Sequence, residues 1–218
     1  MTLAPGRERC DRRAGWLQAI AMATLDFWFE FASTYSHLAV ARIGALARDA
    51  GVEVVWKPFL LGPIFKAQGW KDSPFNIYEA KGRYMWRDME RLCEQYGLGF
   101  RRPSVFPRNG LLAARVATIA GNDAWVPDFV RAVYHANFAE DREISDRGVI
   151  AEILGEIGQD STAVLAAAET PENKERLKRR TEEAVRLGIF GAPSFTTRGE
   201  LFWGNDRLED ALAWAGDE

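Results

Sequence analysis

The sequence predicts a mixed α/β fold in which a βαβ unit near the start and a ββα unit at the end close one sheet around a large all-helical insertion. Three observations predict it. Residues 25–59 read as strand, helix, strand; residues 64–188 carry helical patterning and no convincing strand; residues 194–215 read as a hairpin and a helix. The expected organisation is an α/β part made of residues 23–63 and 189–218, a helical insertion over 64–188, and a tail, 1–22, outside the fold and disordered.

Each element follows from its residues. Leu25, Phe27, Phe29 and Phe31 alternate along a first strand, and Trp28 makes the second face apolar as well, which marks a central strand. Ala39, Ile43, Leu46, Ala47 and Ala50 repeat with helical spacing, and Gly51 closes that helix. A second strand covers 53–59, with Pro58 at its end or on an edge. Strand, helix, strand at this length is a parallel, right-handed unit. In the insertion, helices are expected over 78–96 (ended by Gly97), 111–120, 125–139, 145–157, 161–168 and 172–187, the last capped by Thr170 before Pro171. A loop with two prolines covers 101–107. The set Tyr78, Tyr84, Met85, Trp86 and Met89 reads mainly as a core stripe, and the charged run 172–183 as a solvated helix face. Segments 194–197 and 200–203 flank Arg198-Gly199 as a β-hairpin. Asp206 with Glu209 then reads as a capping box opening a last helix over 207–215.

The composition excludes several classes. A chain of 218 residues, 47% hydrophobic and 27% charged, is long enough for one full core. Its net charge of −3, with basic and acidic residues interspersed, gives no footprint for nucleic acid. No apolar run is long enough to span a membrane as a helix. The two cysteines, Cys10 and Cys93, read as unpaired thiols of a reducing, cytoplasmic compartment. Two cysteines and two histidines, scattered, predict no metal site. The stretch 7–23 imitates a secretion signal, basic then apolar then Ala-Met-Ala, but the apolar part is short and broken by Gln18. A tail, or a start placed upstream of Met22, is the preferred reading.

The chemistry concentrates in two distant segments, Ser33-Thr34-Tyr35-Ser36 and Gly191-Ala192-Pro193-Ser194. Ser33 ends a buried strand and opens a helix. It can cap that helix, or sit where the helix dipole and free N–H groups favour an anion and lower the pKa of a thiol held there. Pro193 by itself reads as a trans strand-entry proline, and Asn205 and Asp206 as turn and cap residues. His37 reads as a packing residue on its helix and His135 as core or surface, neither as catalytic.

On segments 26–39, 57–62, 188–195 and 203–207, taken together and in this order, the chain resembles the 2-hydroxychromene-2-carboxylate isomerase family. That family is close kin of the kappa-class glutathione transferases and of DsbA-like thioredoxin folds. The resemblance implies a thioredoxin-like fold with its helical insertion, glutathione as cofactor, and a homodimer. It implies that Ser33 hydrogen-bonds the glutathione sulfur as the catalytic residue. It implies that Ala192-Pro193 is a cis peptide whose Ala192 backbone pairs with the cysteinyl part. Asn205 and Asp206 would meet the γ-glutamyl end, and Trp203 would wall the site. Lys66, Trp70 and Asn109 are candidates for the second substrate, a small aromatic or electrophilic compound, with Lys57 beside them. Kappa-type relatives carry Asn where this chain has Trp70. The implied activity is glutathione-dependent cis/trans isomerisation of a 2-hydroxychromene-2-carboxylate-type aromatic catabolite by reversible thiolate addition. The alternatives are a kappa-like transferase and a non-catalytic thioredoxin-fold binding protein. Dithiol redox chemistry is excluded, because neither Ser33 nor Ser36 can form a disulfide.

Overall fold

The computed structural model describes residues 22–216. The tail expected over 1–22, the signal-like segment and Cys10 therefore lie outside the described residues, save for the tail's last residue and the end of that segment.

Strand β1 (Ala23–Phe29) leads into helix α1 (Thr34–Asp49), and β2 (Val52–Pro58) returns parallel to β1 in the register Phe27 to Trp56. A helical series follows: α2 (Leu61–Ala67), α3 (Pro74–Ile77), α4 (Glu79–Tyr96), α5 (Leu111–Ala120), α6 (Val126–Phe138), α7 (Arg147–Glu156), α8 (Ser161–Ala168) and α9 (Pro171–Arg186). The chain then forms β3 (Ser194–Thr197), β4 (Glu200–Trp203), a 3-10 turn (Asn205–Arg207) and α10 (Leu208–Gly216). The sheet order is β2-β1-β3-β4, with β3 antiparallel to both of its neighbours. β1 is thus central, and Pro58 ends an edge strand, where its missing N–H breaks no ladder. No strand interrupts α2–α9 among the described residues. Arg198 and Gly199 both take positive φ, 50° and 82°, as a tight two-residue hairpin turn requires.

The two faces of β1 serve two clusters. Leu25, Phe27 and Phe29 enter a main core that runs through α1, α5, α6, α7 and α10. Trp28 enters a smaller one with Phe59, Ile64, Ala184 and Ile189, and its indole N–H donates to the Thr196 hydroxyl at 2.9 Å. Thr170 caps α9, accepting from the Asn173 N–H at 3.3 Å.

Some elements depart from expectation. Helices α2 and α3 are short and carry no strong periodicity in sequence. Tyr78 and Tyr84 are exposed, at 47% and 62%, while Met85, Trp86 and Met89 are buried, so the stripe is narrower than expected. The capping box on the last helix does not form. Asp206 lies inside the 3-10 turn and pairs with Arg207 at 3.1 Å, while Glu209 pairs with Arg42 of α1.

Helix α6 grips the backbone that follows β1. The Tyr134 hydroxyl donates to the Glu30 carbonyl at 2.7 Å, and the Asn137 amide donates to the Phe31 carbonyl at 3.1 Å. Asn137 Oδ1 also accepts from buried Arg108 at 3.1 Å. The Phe31 ring packs on Phe129 and Tyr134, with centroids 6.2 and 5.4 Å away. Asn137→Ala leaves the Phe31 carbonyl and one Arg108 donor unpaired in the interior. It should cost about 2–3 kcal/mol, read as a lower urea midpoint at unchanged slope; a loss below about 0.5 kcal/mol would mean that water replaces the amide.

Candidate functional site

The strand-to-helix turn is shaped by its own backbone. The Ser33 N–H donates to the Glu30 carbonyl at 2.9 Å, turning the chain after β1. Ser33 has extended geometry (φ −76°, ψ 118°), and its hydroxyl accepts from the Ser36 N–H at 3.2 Å, so it is the N-cap of α1. That hydroxyl donates to the Ala192 carbonyl at 2.8 Å, across the gap between the two chain ends. Ala192–Pro193 is a cis peptide, as the resemblance implied; Phe106–Pro107, in the two-proline loop, is cis as well. Ser36 is buried and lies away from the cleft, so the two serines of the turn have different surroundings.

A cleft of about 1420 Å³ opens over this turn. Ser33, Ala192, Pro193, Trp203, Asn205 and Asp206 all line it. So do Lys66, Trp70 and Asn109, on the side formed by α2, α3 and the loop before α5. Lys57 does not: it points from β2 to Asp26 at 3.7 Å and lies over the Trp28 ring. Asn205 is buried, and its side-chain carbonyl accepts from Arg42 at 3.1 Å. Asp206 is exposed at the rim. The Trp203 indole packs against Phe190, centroids 4.8 Å apart, and lies across Gly191, where a Cβ would fall 2.4 Å from its Nε1. Lys66 is exposed in the last turn of α2. Trp70 leans on Phe65, centroids 5.4 Å apart. Asn109 accepts from the Leu111 N–H at 2.9 Å, starting α5.

Three cleft residues escape a sequence reading. Tyr35 reaches across to α4 and donates to Asp88 at 2.9 Å, which places a helical-insertion carboxylate on the cleft wall. Burial, the Asp88 hydrogen bond and the nearby charge hold the Tyr35 phenol protonated well above its ordinary range. Glu30 sits at the foot of the cleft. Its Oε2 accepts the Ala32 N–H at 3.0 Å, yet burial without a cation pushes its pKa to about 7. Gly110 closes over this turn: a Cβ there would lie 2.7 Å from the Phe31 Cβ and 3.5 Å from Glu30 Oε1. The one available signal for Glu30 was a carboxylate between the apolar residues Phe29 and Phe31 just after β1.

The two histidines and Cys93 lie outside the cleft lining. His37 is buried against Tyr134 and Phe138, and burial lowers its pKa to about 4. His135 is exposed beside Glu140 at 3.4 Å. Burial raises the Cys93 thiol to about 11, so it packs rather than reacts. Among the described residues, no cluster of His, Cys, Asp and Glu could hold a metal ion, and no helix is long and apolar enough to cross a membrane.

Residues 24–213 match the family model described as DSBA-like thioredoxin domain. A 2-hydroxychromene-2-carboxylate isomerase of Sphingobium xenophagum is 28% identical over 187 residues, covering 85% of this chain and 94% of that protein. Glutathione s-transferase kappa 2 of Caenorhabditis elegans is 24% identical over 202 residues, covering 84% and 88%. Among solved structures, a 2-hydroxychromene-2-carboxylate isomerase superposes with a TM-score of 0.80 at 25% identity, over 88% of this chain and 94% of that one.

Glu30 and His37 oppose one another in the pH dependence of stability. Glu30 keeps its proton in the folded state up to about pH 7, whereas unfolded it loses it near 4.5. The unfolded chain then binds fewer protons, and stability falls as pH rises through that window. His37 is neutral when folded down to about 4 but protonates near 6.5 unfolded, so its contribution falls as pH drops through that window. Removing one should unmask the other. Glu30→Gln should give a melting temperature that climbs between about pH 4 and 6.5 and then levels, with a gain of about 2 kcal/mol over the unsubstituted protein at pH 8. Coincident pH profiles for the two proteins would show that Glu30 is solvated.

Proposed function

The chain belongs to the DSBA-like thioredoxin domain family, and from the serine at its strand-to-helix turn we propose that it is a glutathione-dependent isomerase of 2-hydroxychromene-2-carboxylate-type compounds. One observation carries this reading. The Ser33 hydroxyl, the free end of α1 and the cis Ala192–Pro193 carbonyl converge on one point of a cleft, with no cysteine in the turn. Related chains over most of this length are named as isomerases of that kind.

The donor set fits a thiol-bearing peptide. Thr34 and Tyr35 begin α1, so their N–H groups lack helical acceptors and favour a negative charge beside Ser33. The Ala192 backbone offers a carbonyl to a peptide N–H. A peptide N–H on that carbonyl frees the Ser33 hydroxyl hydrogen, which turns to the sulfur while the oxygen still caps Ser36. Asp206 at the rim suits an ammonium, and Trp203 with Phe190 covers the peptide's flank. When bound, glutathione supplies a thiolate that adds reversibly to a conjugated double bond, so that the bond can rotate before it re-forms. Ser33 keeps that sulfur ionised and placed. Lys66, exposed on the opposite wall, suits the carboxylate of the second substrate, with Trp70 and Phe65 as its aromatic surface and Asn109 as a donor. The cleft, about 1420 Å³, accommodates both molecules.

Isomerisation of a 2-hydroxychromene-2-carboxylate should occur with glutathione and stop without it. Ser33→Ala should lower kcat by about 100- to 1,000-fold, the usual loss for one preorganised donor, and leave the glutathione Kd within a few-fold by calorimetry. Full activity in Ser33→Ala would overturn the assignment. Accumulation of a stable glutathione adduct would give the chain a transferase's reaction instead.

A further inference from the structure

Glu30 is the one acidic group at the foot of the cleft that the assignment above leaves without a task. It precedes Ser33 by a single tight turn, closed by the Ser33 N–H on its own carbonyl. Both side chains line the same cleft. One carboxylate oxygen is held by the Ala32 N–H. The other, Oε1, has no hydrogen-bond partner among the described residues and is not sealed from the cleft.

The groups packed around it leave it uncompensated. From α6, Tyr134 spends its hydroxyl on the Glu30 main-chain carbonyl. In the loop before α5, Arg108 is committed to Asn137, Asp141 and Glu143. Gly110 presents no side chain at all, and its close approach to Phe31 and Oε1 leaves no room for one. From α1, His37 is buried against Tyr134 and Phe138, and is neutral above about pH 4. Asp88 and Asp206 carry further negative charge near Tyr35, across the cleft. Lys66 is exposed on the far wall. A carboxylate so placed holds a proton near neutral pH.

We propose that Glu30 is the base that accepts the thiol proton of the bound peptide, so that the thiolate forms inside the cleft without losing a proton to solvent. The S–H bond breaks, its electron pair stays on sulfur, and the proton joins Glu30 Oε1. The reverse transfer returns it when the thiol leaves, so nothing is consumed. Ser33 holds the sulfur and Glu30 holds the proton. The pKa of Glu30, about 7, lies close to that of a thiol beside a helix N-terminus, as an efficient transfer requires. This rests on the glutathione reading of the cleft.

The test is a proton inventory. Glutathione binding is measured by calorimetry at about pH 8, in buffers of different ionisation enthalpy, and the ultraviolet thiolate band is titrated in parallel. At that pH the free carboxylate is ionised, and a thiolate formed beside it raises its proton affinity further, so the unsubstituted protein should form the thiolate and deliver almost no proton to buffer. Glu30→Gln should deliver close to one proton per thiolate formed. Glu30→Asp, which keeps a carboxylate, should restore part of the internal transfer. S-Methylglutathione, with no thiol proton, should bind both proteins without proton release, which also reports that Glu30→Gln is folded. If glutathione and its S-methyl form both bind, but proton release per thiolate coincides in the two proteins, the role of Glu30 is overturned and the glutathione site stands. If neither peptide binds the unsubstituted protein, the site assignment falls and the role of Glu30 with it.

Discussion

Antiparallel pairing of β1 with β3 joins the two ends of the chain, Asp26 to Thr196, Phe27 to Phe195 and Trp28 to Ser194. Everything at the cleft inherits its position from this short ladder. It fixes where β1 ends, hence where Ser33 opens α1, and where β3 begins, hence where the Ala192 carbonyl points. The hydroxyl-to-carbonyl contact of 2.8 Å is possible because the two segments leave the ladder at the same edge. Buried packing holds the register: the Phe27 and Phe195 rings stack with centroids 5.4 Å apart, and Trp28 bonds Thr196 from the other face. A slip of one residue would turn each of these side chains to the wrong face. The helical insertion between the paired strands adds little entropic cost for its length, since loop closure grows only slowly with chain separation.

The insertion in turn disciplines the turn. Helix α6 supplies the donors that satisfy the Glu30 and Phe31 carbonyls, groups that no sheet partner reaches. With those carbonyls satisfied, the turn can be both buried and irregular. Burial of the Glu30 carboxylate at the cleft foot, with only the Ala32 N–H donating to it, raises its proton affinity. The cleft foot therefore sets two tendencies side by side: the start of α1 favours negative charge, and the burial around Glu30 disfavours it. A proton shared between two acidic groups, one carboxyl and one thiol, is what such a place can accommodate at neutral pH.

Much of this was legible in the sequence because it is local. The alternation around Phe27, the Thr170 cap, the Arg198-Gly199 turn and the helix from Leu111 to Ala120 each follow from residues within a few positions of one another. Ser33 and the 191–194 segment could be paired only through resemblance, since no local pattern says that they meet. What escaped was tertiary. Tyr78 and Tyr84 share apolar chemistry with Trp86 but face away from the α1–α4 contact. Asp206 has the identity of a cap but is drawn into a 3-10 turn, because Arg42 takes both its neighbour Asn205 and Glu209. Glu30 looked like an ordinary strand end. Its environment comes from Gly110 and Tyr134, far along the chain, and no periodicity in 25–31 reports them.

A serine rather than a cysteine at the start of α1 does more than preclude a disulfide. A thiol at that position is both a nucleophile and an acid with a proton to lose, so the fold would supply sulfur and charge from one side chain. With Ser33 there, the turn carries no sulfur of its own and offers only a small, rotatable donor; under the proposed function the sulfur is the ligand's. The Ala192 carbonyl gives that donor a resting acceptor, so its hydrogen is never left unpaired in a partly buried site. The proton that an incoming thiol must shed then needs a destination of its own. Water in the open cleft is one destination. A carboxylate already present, one turn away and free of any cation, is a better one. The absence of cysteine from the turn and the uncompensated acid beneath it thus fit the one arrangement proposed, in which charge and proton are divided between Ser33 and Glu30.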